Sequence, residues 1–133
     1  MPTDFLLWVD ADIHQLWRRL VFNYLICNTD DHLHNTGFLY DAKNKGWRLS
    51  PAFDLNPMPN DLRESKTWLT EDSGPINNKK QLLEEAVHFR LHKEQAETIW
   101  KEVEATIRSW KTQARKLKMD NSSLIDFEAA FSL

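Results

Sequence analysis

The apolar residues Ile13, Leu16, Trp17, Leu20, Val21, Tyr24 and Leu25 recur in alternating steps of three and one, which lays them on one stripe of a 3.6-residue helix. Asp10 precedes the stripe, where a carboxylate suits the N-cap. Residues 1–9 have no period beyond the short run Phe5–Val9 and receive no assignment. Beyond the helix the chain turns polar over residues 28–35. Thr36–Tyr40 then alternates, Asp41–Gly46 is polar with Asn44 and Gly46 as turn residues, and Trp47–Leu49 returns as a second apolar piece. A short hairpin is predicted. Pro51, Pro57 and Pro59 exclude a long helix through residues 50–60, because proline lacks the amide donor and clashes with the preceding turn. Asn56–Asn78 is loop-rich, with a possible strand over Lys66–Leu69 and a turn at Ser73-Gly74-Pro75.

Asn78 is an N-cap for a helix of about three turns marked by Leu82, Leu83, Ala86, Val87 and Phe89. Ala96, Ile99, Trp100, Val103, Ile107, Trp110, Ala114 and Leu117 then predict one long amphipathic helix. Its other face mixes Lys93, Glu94, Glu97, Lys101, Glu102, Glu104 and Arg108. The aromatic and alanine positions favour packing against sibling helices over a coiled coil. Ser123 with Asp126 resembles a capping box that opens a last helix through Leu124, Phe127 and Phe131. The expectation is one mainly α domain, residues 1–133, with a single small hairpin.

Composition changes this picture little. At 133 residues, 41% hydrophobic and 28% charged, the chain fits one domain. Net charge is −3, and basic and acidic residues alternate without a basic stripe, which argues against direct nucleic-acid binding. Apolar runs are too short for a membrane helix or a signal peptide. The single cysteine, Cys27, allows no internal disulfide, so the default compartment is the cytoplasm. Six tryptophans imply a core rich in large rings or a surface that meets a partner.

Candidate chemistry concentrates in Asn28-Thr29-Asp30-Asp31-His32-Leu33-His34-Asn35, where two acids, two histidines and two asparagines stand between apolar segments. Asp30 and Asn35 are five residues apart, the spacing of proton acceptor and metal-binding amide in the catalytic loop of protein kinases. There the loop is followed by a hairpin and a second metal-binding Asp next to a Phe. Here a predicted hairpin is followed by Phe53 and Asp54.

On Phe22–Asp30, His32, Asn35 and Gly46–Pro57 the sequence resembles the HipA-like serine/threonine kinases, toxins of HipA/HipB toxin–antitoxin pairs. The likeness runs from about Leu16 to the C-terminus, and the combination T-D-x-H-x-x-N with P-A-[FY]-D-L is specific to that family. It implies the helical C-terminal lobe of a protein-kinase-like fold, ATP as phosphoryl donor and Mg²⁺ as cofactor. It implies Asp30 as catalytic base, Asn35 and Asp54 as Mg²⁺ ligands, and His32 as the residue that shapes the loop and faces the phosphates. A HipB-like antitoxin is the implied partner, and glutamyl-tRNA synthetase is the family's known protein target.

Two positions depart from the family pattern: His34 stands where Lys or Arg is common, and Cys27 where Gly or Ser is usual. A phosphate contact from His34 is therefore weaker and pH-dependent. The family's N-terminal lobe, with its phosphate-covering loop and ATP-binding lysine, has no counterpart in these 133 residues. They are expected to fold but to bind ATP weakly and to lack kinase activity alone. Each site residue also has a structural reading: Asp30 in an Asx-turn, Asn35 in a left-handed turn, His32 bonded to backbone. Asp31 and His34 are accessory, Cys27 is a buried small hydrophobe, and His88 and His92 are surface or capping groups. Ser65, Thr67, Thr70 and Ser73 read as ordinary loop hydroxyls. The alternatives are a non-catalytic partner-binding module and a metal-dependent hydrolase built on His32, His34 and the nearby acids.

Overall fold

A computed structural model describes residues 9–28, 36–57, 74, 76 and 78–131. The predicted first helix is α1, Val9–Leu25. Of its stripe, Trp17, Val21 and Leu25 are buried most deeply. Asp10 is not the cap: it lies within the first turn, and its Oδ1 accepts from Arg90 Nη1 at 2.7 Å. Next comes the hairpin, β1 Phe38–Asp41 and β2 Gly46–Leu49, antiparallel with Asp41 opposite Gly46. Its tip is closed by an Asx-turn in which Asn44 donates both its backbone N–H and its side-chain amide to the Asp41 carboxylate. These bonds hold the Asp41 carboxyl below the usual carboxylate range.

The helical remainder begins at α2, Lys79–Glu84, where Asn78 Oδ1 accepts from Gln81 N at 2.9 Å as predicted. The three-turn helix expected here tightens after six residues into a 3₁₀ segment, Glu85–Phe89. With three residues per turn in place of 3.6, Ala86 still points inward but Val87 rotates out to 69% exposure. The long helix expected to Leu117 is two: α3 Lys93–Arg108 and α4 Trp110–Lys116. At the break the Ser109 hydroxyl donates to Thr106 O at 2.7 Å, taking up a carbonyl at the end of α3. The bend lays Trp110 flat on Phe131, with centroids 4.4 Å apart, and leaves Leu117 82% exposed. α5, Asn121–Phe127, is capped by Asp120 rather than by Ser123: Asp120 Oδ1 accepts from Ser123 N at 2.7 Å, one turn ahead of the predicted box. A 3₁₀ turn, Glu128–Phe131, follows.

The core lies between α1, the α2 segment and α3. Trp17 and Trp100 are its largest members, tilted against Phe89 and Tyr24 respectively. Full burial of a large apolar side chain is worth roughly 1.5–3 kcal/mol. The expected ring-rich core is therefore present at Trp17 and Trp100. α1 sits centrally, and its C-terminal end delivers the chain to the polar stretch that follows.

Candidate functional site

α1 ends in a full Schellman motif. Asn28 N donates to Asn23 O at 2.8 Å, Cys27 N donates to Tyr24 O at 3.2 Å, and Cys27 takes a left-handed φ of 58°. That position favours glycine, which accounts for the small residue usual there. Cys27 is 1% exposed, and its Sγ lies 3.6 Å from Ala130 O, so the cysteine packs as a buried hydrophobe. Where such motifs commonly carry an apolar contact between the residues at either end, this one has a buried amide pair: Asn28 Nδ2 donates to Asn23 Oδ1 at 2.9 Å. Residues 29–35 lie outside the described residues, and with them Asp30, Asp31, His32, His34 and Asn35. The possible strand at Lys66–Leu69 and the hydroxyls Ser65, Thr67, Thr70 and Ser73 lie outside as well.

The hairpin brings the two ends of the intervening chain together. Ser50 N donates to Gly37 O at 2.8 Å. A Cβ on Gly37 would stand 3.4 Å from Ser50 Oγ and 3.7 Å from the Phe53 ring, so chain entry and chain exit touch. From Ser50 the backbone runs through Pro51 and Ala52 to Asp54. Asp54 is exposed and left-handed, with φ 55°, and its Oδ1 accepts from Asn56 Nδ2 at 2.8 Å. Aspartate is among the few residue types other than glycine whose short polar side chain suits this region.

Bonds to α1 fasten the second strand. Asp12 receives a fork from Arg48, Nε to Oδ2 at 2.9 Å and Nη2 to Oδ1 at 3.0 Å, and Oδ2 also accepts from Leu49 N at 3.0 Å. The Arg48 guanidinium, with the Leu49 amide, holds the Asp12 carboxyl below the ordinary carboxylate range against the opposing cost of burial. Arg19 Nη2 donates to Ser50 O. Burial lowers the Arg19 pKa, partly countered by the nearby Asp12 charge. Arg18, Arg19, Phe22, Ala52, Leu55 and Val103 line a groove of about 270 Å³ between α1, α3 and the Asp54 segment. Neither Asp12 nor Arg19 stands out in the sequence. The available signal was their seven-residue separation, two helical turns, on the flank of the apolar stripe.

Among the described residues no three His, Cys, Asp or Glu side chains gather as a metal cluster, and no helix is long and apolar enough to cross a membrane. His92 sits at the start of α3, its N–H bonded to Gln95 Oε1 at 2.9 Å, and His88 lies 3.4 Å from Glu85, both at the surface as expected.

No curated protein and no solved structure matches the chain. The family model described as the HipA-like C-terminal domain matches residues 6–110, a span that holds α1, the hairpin, the Asp54 segment, α2 and α3. With the model covering most of its length and the helical architecture in agreement, the chain belongs to the HipA-like C-terminal domain family.

Proposed function

We propose that this domain is the catalytic-loop lobe of a protein-kinase-like fold and that, joined to a nucleotide-covering lobe, it transfers the γ-phosphate of ATP to a serine or threonine hydroxyl. One observation carries the reading: the hairpin closes Gly37 against Ser50 and the Phe53 ring. Two residues of chain, at most about 7 Å, separate Asn35 from Gly37, and Asp54 follows Phe53 directly. In this reading the site forms where the hairpin's entry and exit meet.

The donor set suits the ion. Asp54 offers a solvent-facing carboxylate and Asn35 an amide oxygen, both hard oxygen ligands of the kind Mg²⁺ selects. When bound, Mg²⁺ neutralises charge on the phosphate oxygens. The chain's own groups do the rest. Asp30 accepts the proton of the attacking hydroxyl as its oxygen bonds to the γ-phosphorus and ADP departs, while His32 shapes the loop and faces the phosphates. In this reading the whole protein is the toxin of a toxin–antitoxin pair, held by a HipB-like antitoxin, with glutamyl-tRNA synthetase as the first target to test.

The chain alone offers one side of a nucleotide site, so it should bind Mg²⁺-ATP only weakly and turn nothing over. Calorimetric titration beside a phosphate-transfer assay checks this, and micromolar binding with turnover would overturn the division of labour. Joined to the N-terminal lobe, the wild-type chain should transfer phosphate and Asp30→Asn should not, because an amide cannot accept the proton. Equal rates in the two would remove Asp30 from the mechanism. Zn²⁺ bound far more tightly than Mg²⁺ would favour a hydrolase.

A further inference from the structure

We propose that Asp12 and Arg19 of α1 are positioning residues for Asp54, forming a two-point clamp that sets where its carboxylate stands; the proposal rests on the reading of Asp54 as a metal ligand. The two residues are seven apart and so share one face of α1. Between them they hold three consecutive residues at the exit of β2: Asp12 takes the Arg48 guanidinium and the Leu49 amide, and Arg19 takes the Ser50 carbonyl. Ser50 is 7% exposed and is also bonded to Gly37 O. It is the last deeply buried residue before Asp54, because Pro51, Ala52 and Phe53 are all exposed.

The downstream side borders the same arginine's groove. Leu55, half-buried, enters the groove that Arg19 lines together with Phe22 and Val103. Arg19 thus bonds the chain four residues before Asp54 and lines the groove that also takes Leu55, the residue after it. Among the described residues the Asp54 side chain bonds locally, to Asn56. The flanking anchors fix where this left-handed residue stands relative to α1. Of the two clamp residues, Asp12 has both oxygens occupied and Arg19 faces the Ser50 carbonyl, so each acts through the backbone and not as a ligand.

Such outer contacts commonly set metal affinity by roughly 10–100-fold. Since the clamp works through four residues of chain, a loss of about threefold to tenfold is expected. The probe is Mn²⁺ alone, titrated into ¹⁵N-labelled chain, with paramagnetic broadening read at Phe53, Asp54 and Leu55. Wild type should show broadening that Asp54→Asn removes. Asp12→Asn and Arg19→Met should each shift the titration to severalfold higher Mn²⁺, and the exchanged pair Asp12→Arg with Arg48→Asp should recover part of the loss. Asp120→Ala, which uncaps α5 and touches no bond of Asp12 or Arg19, supplies a variant of reduced stability with an intact clamp and should titrate like wild type. If Asp12→Asn and Arg19→Met unfold more easily but bind Mn²⁺ as wild type does, the clamp is merely structural and the proposal falls while the metal reading stands. If wild type shows no Asp54-dependent broadening, the metal reading falls and the proposal with it.

Discussion

Replacing Cys27 by glycine sets two physical effects against each other at the residue that turns the chain from α1 toward the candidate loop. Among the described residues three Schellman motifs use a residue other than glycine in the left-handed position: Cys27, Arg90 and Lys118, with φ of 58°, 55° and 61°. In each, the next residue's N–H reaches back five positions, Asn28 to Asn23, Leu91 to Ala86 and Met119 to Ala114. A left-handed L-residue costs about 1–2 kcal/mol, and glycine relieves this while surrendering about 0.5–1 kcal/mol through its looser unfolded chain. The net gain is about 0.5–1 kcal/mol where the side chain does nothing else. Lys118 is such a place, being exposed. Cys27 is 1% exposed, and deleting its Cβ and Sγ removes two buried heavy atoms at about 0.8 kcal/mol each, with a cavity term besides. Lys118→Gly should therefore stabilise, Cys27→Gly should destabilise by about 1 kcal/mol, and the two should differ by about 2 kcal/mol. Urea unfolding followed by tryptophan emission measures this, since Trp17 and Trp100 pass from 0% and 2% exposure to water. A destabilised Lys118→Gly would refute the backbone cost, and equal midpoint shifts in the two variants would refute the packing role of Cys27.

Asp12→Asn should cost about 1–2 kcal/mol at neutral pH, below the range of roughly 1.5–3 for bonds to charged groups, because the Arg48 side chain is 39% exposed and water screens the pair. Its pH dependence has a fixed sign. The folded Asp12 pKa lies below the ordinary value of 3.8, so the stabilisation is complete above that value and is lost as pH falls through the folded pKa. Thermal unfolding of the two proteins should thus converge in strong acid, and a constant difference from pH 7 to pH 2 would exclude Asp12 ionisation as the source. Asp120→Ala should lower the melting temperature by a few degrees, as loss of a side-chain cap does, whereas Ser123→Ala should do less because the backbone N–H of residue 123, which donates to the cap, is kept; calorimetry of both checks this. Asp54→Asn should leave the melting temperature nearly unchanged, since asparagine tolerates the left-handed backbone, and a large drop would mean that the Asp54 charge supports the fold.

The sequence by itself determined the elements whose cause is local. A 3.6-residue stripe specifies α1 because each buried residue lies on the same face as the next, and Asn78 caps α2 because its side chain reaches its own backbone three residues on. The hairpin likewise follows from Asp41 and Asn44 closing their own turn. Periodicity could not show where α3 stops: Trp110 and Ala114 continue the apolar pattern, and only the Ser109 hydroxyl and the stacking of Trp110 on Phe131 divide the helix. Nor could it show which of Asp120 and Ser123 would cap α5, since both offer an oxygen three residues ahead of an amide, or that Val87 would turn outward in a tightened turn. In the candidate site, residue types and spacing singled out Asp30, Asn35 and Asp54. The approach of Arg48 to Asp12 and of Ser50 to Arg19 spans 36 and 31 residues of sequence. Contacts of that range have no period to betray them, because they depend on how a hairpin docks against a helix, and that is decided by tertiary packing alone.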